Sequence, residues 1–321
     1  STETKIDKQD FIKELLNDFS VMCLSREASL LGRKEVLTGK AKFGIFGDGK
    51  ELPQIVMAKF FRNGDIRSGY YRDQTFMMAT DNLSVKEFFA GLYAHTDIQK
   101  EPTSAGRQMG GHFSTRLIDE NGKWLNLTEQ KNSTSDISPT AGQMPRLVGL
   151  GLASKVYRNN KELSHLTNFS KNGDEIAFGT IGDASTSEGV FWESINAACV
   201  LEIPVVMSIW DDGYGISVPK KYQTTKESIS EALAGFELDD KTNGLKIFRC
   251  NGWDYQDLYA AYKNATEFTR KHHKPSLIHV EEITQPQGHS TSGSHERYKS
   301  KERLAWAKEY DCISKFKEWL L

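Results

Sequence analysis

Residues 175–217 decide the fold, and they read EIAFGTIGDASTSEGVFWESINAACVLEIPVVMSIWDDGYGIS. The apolar runs at 175–181 and 204–210 predict two buried strands, and the stretch 186–201 between them predicts a helix. The alternation continues with a predicted strand at 245–250, a helix at 255–270 and a strand at 276–284. Strands that alternate with helices indicate an α/β fold, with a parallel sheet and helices on both of its faces.

Outside this core the pattern is mostly helical. Helical spacing of apolar residues predicts further helices at 8–31, 84–95, 139–157 and 302–321. Residues 39–52 are rich in glycine and charge and predict a loop, and the polar segment 98–136 predicts a long irregular region. Since no linker interrupts the pattern, we expect one α/β domain over residues 41–321, preceded by a helical extension at 1–40.

Composition excludes several classes of protein. The chain has 321 residues, of which 38% are hydrophobic, and 41 basic against 43 acidic side chains give a net charge of −2. That balance disfavours a nucleic-acid-binding protein, and the absence of a long apolar stretch disfavours a membrane protein. The four cysteines are far apart and form no CxxC pair, so they predict neither a zinc cluster nor a disulfide framework; they are Cys23, Cys199, Cys250 and Cys312.

Two loops at strand ends carry the candidate chemistry. Gly182 and Asp183 follow the first strand, and Asp212 follows the second strand, 30 positions after Gly182. A right-handed crossover places such strand ends side by side, where α/β sheets bind their ligands. The start of the intervening helix suits a phosphate, and Asp183 offers a hard oxygen ligand for Mg²⁺. Ser185 and Glu188 have the spacing of a capping box for that helix.

This arrangement resembles the thiamine-diphosphate motif, a Gly-Asp-Gly followed about thirty residues later by Asn-Asn. The wider run resembles the alpha subunit of the decarboxylating component of 2-oxo acid dehydrogenase complexes. Other segments resemble the same family: YYRD at 70–73, GRQM at 106–109 with His112 after it, SPTAGQMP at 138–145, GHSTS at 288–292 and YKS at 298–300. The GHSTS and GRQM segments favour the branched-chain members over the pyruvate members.

The resemblance implies a thiamine-diphosphate-binding fold and the cofactors thiamine diphosphate and Mg²⁺. It assigns the metal to Asp183, Asp212 and the carbonyl of Tyr214. It assigns cofactor binding to Tyr71, Arg72, Ser138, Thr140, Gly182, Asp183, Ala184, Asp212, Tyr214, Ile216 and His289. His112 and His289 are the candidate catalytic residues that face the substrate.

The implied reaction is the oxidative decarboxylation of a 2-oxo acid, with a branched-chain acid such as 3-methyl-2-oxobutanoate favoured. The acyl group passes to a lipoyl acyltransferase. A beta subunit, separate or fused, supplies the glutamate that activates the cofactor, so we expect the chain to be incomplete alone and to form an α2β2 assembly. The expected location is the bacterial cytoplasm or, in a eukaryote, the mitochondrial matrix.

The sequence departs from the family pattern at several positions. Ala184 replaces the third motif residue, and the Asn pair becomes two aspartates ending in Asp212. We expect the added charge to strengthen the dependence on Mg²⁺. Trp210 and Gln285 stand where branched-chain relatives have arginines, which predicts weaker diphosphate binding. Gly142 stands where relatives have a side-chain ligand for K⁺, so no K⁺ site is predicted.

Alternative interpretations stay open at this point. Pyruvate- or acetoin-type alpha subunits share the motifs, and a non-catalytic, degenerate subunit would tolerate the departures. Ser138 and Thr140 also suit the cap of the following helix, and Tyr71 with Arg72 also suits a surface pair. The second Gly-Asp-Gly, at 47–49, has no strand before it and is interpreted as a turn.

Overall fold

The structure is a computed structural model, and it describes residues 7–291 and 293–321. Its helices are α1 (Lys8–Leu37), α2 (Glu51–Phe60), α3 (Gln74–Ala79), α4 (Val85–Leu92), α5 (Gln143–Asn159), α6 (Gly189–Leu201), α7 (Ile229–Ala232), α8 (Tyr255–His272), α9 (Lys301–Glu309) and α10 (Cys312–Leu320). Its strands are β1 (Ile66–Ser68), β2 (Asn132–Ser133), β3 (Ala177–Gly182), β4 (Val205–Trp210), β5 (Tyr214–Gly215), β6 (Val218–Pro219), β7 (Lys246–Asn251) and β8 (Ser276–Glu281).

Six strands form a parallel sheet in the order β2-β1-β3-β4-β8-β7. The four strands expected from the sequence are confirmed as β3, β4, β7 and β8. The sequence analysis missed β1 and β2 because strands of three and two residues have no detectable periodicity. β5 and β6 form a separate antiparallel hairpin directly after β4.

Helices cover both faces of the sheet, as expected. Alternate side chains of a strand point to opposite faces, and β4 illustrates this. Val205, Met207 and Ile209 belong to the core cluster under α5 and α6. Val206 and Trp210 belong to the second cluster, under α2 and α8. β4 is therefore buried on both sides, which explains its continuous apolar sequence.

Three expectations on helices were wrong. Residue 51 was assigned to a loop but begins α2, whose residues are buried almost all round and so show no amphipathic period. The helix expected at 302–321 is two helices, because the Asp311 side chain accepts the first backbone amides of α10. The Ser185–Glu188 capping box is absent, since a 3-10 turn precedes α6 and no side chain caps that helix.

The N-terminal helix α1 extends beyond the expected end, to Leu37. Its side chains Leu15 and Met22 are buried in the same core cluster as α2 and α8. The boundary at residue 40 stays a prediction. Within residues 7–291 and 293–321, no helix combines the length and apolar character needed to cross a bilayer.

Candidate functional site

The ends of β3 and β4 lie side by side, as the crossover argument predicts. Gly182 pairs with Trp210 in register at the last rung of the ladder. The amide of Asp183 then donates to the Trp210 carbonyl oxygen (3.2 Å). The parallel pairing therefore places Asp183 against the loop that contains Asp211 and Asp212.

A cleft of about 380 Å³ opens at these strand ends. Most of the predicted site residues line it: Tyr71, Arg72, Thr140, Gly182, Asp183, Ala184, Asp212, Tyr214, Ile216 and His289. The cleft is also lined by Lys50, Tyr70 and Ser185, which the sequence analysis did not assign to it.

Asp183 is buried, with 4% of its surface exposed. Its Oδ2 has no hydrogen-bond partner in the part of the chain that the structure describes. Burial, reinforced by the charges of Asp212 and Asp211, holds the pKa of Asp183 well above its ordinary value. A buried carboxylate of this kind is costly until a cation joins it, so the site fits a metal ion.

Asp212 has a different environment, because a lysine already pairs with it. Lys50 Nζ lies 3.0 Å from Asp212 Oδ2, and the amide of Tyr214 donates to Oδ1 (3.2 Å). Burial opposes the ionisation of Asp212, but the positive charges around it outweigh burial and hold its pKa below the ordinary value. Lys50 contributes most to this lowering, and it also donates to Gln285 Oε1 (2.6 Å).

Asp211, the other member of the pair, holds the loop in place. Its Oδ2 accepts from His279 Nε2 (2.9 Å) and Lys220 Nζ (2.5 Å). Its Oδ1 accepts from the amide of Gly213 (2.9 Å). Burial opposes the charge on Asp211, but His279 and Lys220 outweigh it and lower the pKa. These contacts fix the backbone that presents Asp212 and Tyr214.

Comparison with known proteins identifies the family. The family model described as "Dehydrogenase E1 component" matches residues 20–321. The chain belongs to this family.

Relatives of this E1 component are 2-oxoisovalerate dehydrogenase alpha subunits. The protein from Bacillus subtilis is 28% identical over 314 residues, which cover 96% of this chain and 82% of the relative. The human mitochondrial protein is 26% identical over 286 residues (88% of this chain, 55% of the relative). The Arabidopsis thaliana subunit alpha 1 is 25% identical over 284 residues (88% and 52%). The chain thus spans just over half the length of these two eukaryotic relatives.

Lys50 is the charged residue of the cleft that the sequence analysis missed in this E1 component. It follows the turn at 47–49, which the structure confirms as a turn. Gly49 has φ +88°, and a β-carbon there would lie 2.1 Å from the Thr284 carbonyl oxygen. Only glycine fits this close approach. The sequence signal was a lysine after a Gly-Asp-Gly turn, but nothing in the linear sequence connects residue 50 with residue 212.

Arg72 fixes the loop that carries His289. Its guanidinium donates to the carbonyl oxygens of Phe46 (2.7 Å) and His289 (2.9 Å). Farther along, Arg33 donates to the Ser290 carbonyl oxygen (2.7 Å). Burial, with the positive charge of Arg72, lowers the pKa of His289 to about 4. His289 is therefore neutral near pH 7, and its ring has one donor and one acceptor nitrogen.

The two remaining predicted residues, His112 and Ser138, contact each other and do not line this cleft. His112 Nε2 lies 2.7 Å from Ser138 Oγ, and Nδ1 lies 2.9 Å from the Met109 carbonyl oxygen. A carbonyl only accepts, so Nδ1 carries a proton, and in the neutral tautomer Nε2 accepts from the Ser138 hydroxyl. Whether the pair acts on cofactor or substrate stays a prediction.

The structure accounts for three of the departures from the family pattern. Trp210 is fully buried, and its indole donates to Asp73 Oδ1 (3.2 Å). Gln285 binds Lys50. Lys50 also balances the charge that Asp212 adds. The weaker diphosphate binding expected from the two missing arginines stays a prediction.

The donor set suits a magnesium diphosphate. Among the described residues, no group of three or more His, Cys, Asp or Glu side chains could hold a metal ion. The oxygen ligands on offer are instead the carboxylates of Asp183 and Asp212 and the carbonyl of Tyr214. Such a set leaves positions open for phosphate oxygens, which Mg²⁺ accepts readily.

Proposed function

We propose that this E1 component is the alpha subunit, or alpha portion, of a thiamine-diphosphate-dependent 2-oxo acid dehydrogenase. The observation that carries the proposal is the buried carboxylate of Asp183, whose Oδ2 has no partner among the described residues, at a cleft at the ends of two adjacent parallel strands. Family membership supports the same cofactor. Thiamine diphosphate supplies the ring that accepts the electrons of the carbon–carboxylate bond when the 2-oxo acid loses CO₂.

Different residues of the cleft bind different parts of this cofactor. Asp183, Asp212 and the Tyr214 carbonyl hold Mg²⁺, which binds the diphosphate. Thr140, Gly182 and Ala184 contact the phosphate end, and we assign Ser138 to the same end. Tyr71 and Arg72 complete that end, and Arg72 also holds the His289 loop in place.

Ile216 and His289 lie on the wall of the cleft where we place the rings and the substrate. Ile216 has φ +57° and is 60% exposed. A left-handed backbone is unusual for a β-branched residue and indicates a functional constraint. His289, in its neutral form, exchanges a proton with the substrate or orients it. His112 is the second candidate for this task.

A beta subunit completes the site in this proposal. The residues that line the cleft in the described part of the chain include no glutamate, so a partner supplies the carboxylate that activates the cofactor. The assembly is of the α2β2 type. We place it in the bacterial cytoplasm or the mitochondrial matrix, the latter in keeping with the mitochondrial names of the eukaryotic relatives.

The favoured substrate is a branched-chain 2-oxo acid such as 3-methyl-2-oxobutanoate, with the acyl group transferred to a lipoyl acyltransferase. The names of the relatives support this choice. Pyruvate- or acetoin-type activity is the alternative. The ion pair of Asp212 with Lys50 argues against a degenerate subunit, because the carboxylate that departs from the family pattern is not left without a cation.

Calorimetry of thiamine diphosphate with the chain and its beta partner tests the proposal. We expect saturable, Mg²⁺-dependent binding, a loss of at least about 100-fold in affinity for Asp183→Ala, and wild-type binding for the exposed control Asp240→Ala. Binding that is independent of Mg²⁺, or unchanged in Asp183→Ala, contradicts the assigned site.

The reconstituted assembly then decides the substrate. We expect the highest kcat/KM for 3-methyl-2-oxobutanoate, with pyruvate and acetoin as competing substrates. A preference for either of those two would replace the branched-chain assignment with the alternative.

A further inference from the structure

Lys50 is a buried cation at the cleft. It is 1% exposed, and lysine is almost never fully buried without a partner. Two of its three ammonium protons go to Asp212 Oδ2 (3.0 Å) and Gln285 Oε1 (2.6 Å). Its position in the lining of the cleft places this charge beside the atoms that the proposed function assigns to the metal and diphosphate.

The carboxylates next to Lys50 in the sequence have other partners, which leaves Lys50 to pair with Asp212. The adjacent Glu51 is already paired, because Arg26 binds both of its oxygens (2.6 and 2.9 Å). Nearby Asp48 accepts from the amide of Gln287 (3.0 Å). The tight turn at Gly49 fixes the backbone that leads into Lys50.

The other cations near Asp212 make different contacts. Arg303 donates to its backbone carbonyl oxygen (2.8 Å), and Lys299 lies over the Tyr214 ring (5.0 Å from the centroid). Among the described residues, Lys50 is the cation that forms an ion pair with the Asp212 carboxylate.

Charge explains why this lysine matters for ligand binding. Two carboxylates at one cleft repel each other and repel a diphosphate. With Lys50 in place, Asp183, Asp212 and Lys50 together carry one negative charge, the same as Asp183 alone. Asp212 then offers oxygen to a metal without adding net charge.

We propose that Lys50 is a positioning residue for the diphosphate, acting through Asp212. The pair lets Asp212 serve as a metal ligand of no net charge, and it sets how strongly cofactor binding depends on Mg²⁺. This inference rests on the proposed function, and it assigns a role to a residue that the motifs do not include.

A double-mutant cycle tests the pair, using Lys50→Gln, Asp212→Asn and the double variant K50Q/D212N. The surface variant Lys274→Gln is the control, because it also removes a lysine from an ion pair, with Glu202. Calorimetry on the chain with its beta partner gives the Kd of thiamine diphosphate with and without Mg²⁺. The Kd without Mg²⁺ divided by the Kd with Mg²⁺ is the ratio that measures the Mg²⁺ dependence.

The two single variants change this ratio in opposite directions. In Lys50→Gln the bare carboxylate repels the diphosphate, so the ratio rises about fivefold or more. In Asp212→Asn the free ammonium attracts the diphosphate, so the ratio falls by a similar factor. In K50Q/D212N the ratio returns to within about twofold of wild type, and Lys274→Gln leaves it unchanged.

Thermal unfolding of each variant is measured alongside, so that a loss of fold is recognised. If the pair were purely structural, the variants would change stability but would not shift the Kd ratio in opposite directions. If the Kd ratio shifts in the same direction in both single variants, or in neither, the role of Lys50 is overturned. The proposed function still stands in that case, provided that the wild-type assembly binds the cofactor. Absence of cofactor binding to the wild-type assembly overturns both.

Discussion

The ends of β3 and β4 differ although each presents an aspartate to the same cleft. At the end of β3, Asp183 is buried with an unpartnered oxygen, and its pKa is raised by burial. At the end of β4, Asp212 is paired with Lys50, and its pKa is lowered despite burial. Residue type alone therefore does not define a metal ligand. The carboxylate at the end of β3 lacks a cationic partner until a metal binds, whereas the carboxylate at the end of β4 already has one in Lys50.

The largest expected effect comes from breaking the turn that positions Lys50. In Gly49→Ala the new β-carbon would meet the Thr284 carbonyl oxygen at 2.1 Å in a left-handed backbone. We expect a loss of about 3–5 kcal/mol in the free energy of unfolding. Denaturant titration measures it.

Gly39→Ala is the matched control for this variant. Gly39 also has positive φ (+81°), but no atom lies within 4 Å of the new β-carbon. In Gly39→Ala the free energy of unfolding should fall by about 1 kcal/mol, the cost of a left-handed backbone at an alanine. Equal losses in the two variants would mean that the close approach at Gly49 contributes nothing.

A smaller effect is expected where Trp210 ends β4. Trp210→Phe removes the indole hydrogen bond to Asp73 and part of a fully buried ring. The free energy of unfolding should fall by about 1–2 kcal/mol, with the cofactor Kd within about threefold of wild type. Trp210 is among the residues that line the cleft, so a larger change in Kd with intact stability would mean that its side chain contacts the cofactor.

The smallest effect concerns His289 and pH. Burial and Arg72 lower its folded-state pKa from 6.5 to about 4, so the unfolded chain binds the proton more readily than the folded chain. His289 therefore costs no stability above pH 6.5, and stability is lost as pH falls toward 4. After allowance for partial exposure, this loss is roughly 1 kcal/mol.

Comparison of wild type with His289→Asn isolates this contribution. The variant should lose less unfolding free energy than wild type between pH 7 and pH 4. Parallel pH profiles would show that His289 titrates normally in the folded chain.

Much of the sheet was predictable because its central strands are mostly apolar. β3, β4, β7 and β8 were expected within a few residues, and the adjacency of Asp183 and Asp212 followed from the crossover rule. The short strands β1 and β2 and the buried helix α2 carry no periodic signal, so they were missed.

The site was predictable where its residues lie in contiguous motifs, and not where the pairing is distant in sequence. Gly182 and Asp183 were found together, but the contact of Lys50 with Asp212 joins residues 162 positions apart. Trp210 and Gln285 were noted as lost cations, whereas the compensating lysine lies in a turn with no motif of its own. Charge compensation of this kind depends on tertiary contacts and is visible only in three dimensions.

The most direct test of the difference between the two strand ends is the free energy of unfolding of Asp183→Asn and Asp212→Asn at pH 7, without Mg²⁺ or cofactor. Asp183→Asn removes a buried carboxylate charge whose Oδ2 has no partner among the described residues, so stability should rise by about 1–2 kcal/mol. Asp212→Asn leaves Lys50 buried without its ion pair, so stability should fall by about 2–3 kcal/mol. If the two variants changed the free energy of unfolding with the same sign, or each with the opposite sign to that expected, the difference between an unpaired Asp183 and a Lys50-paired Asp212 would be contradicted.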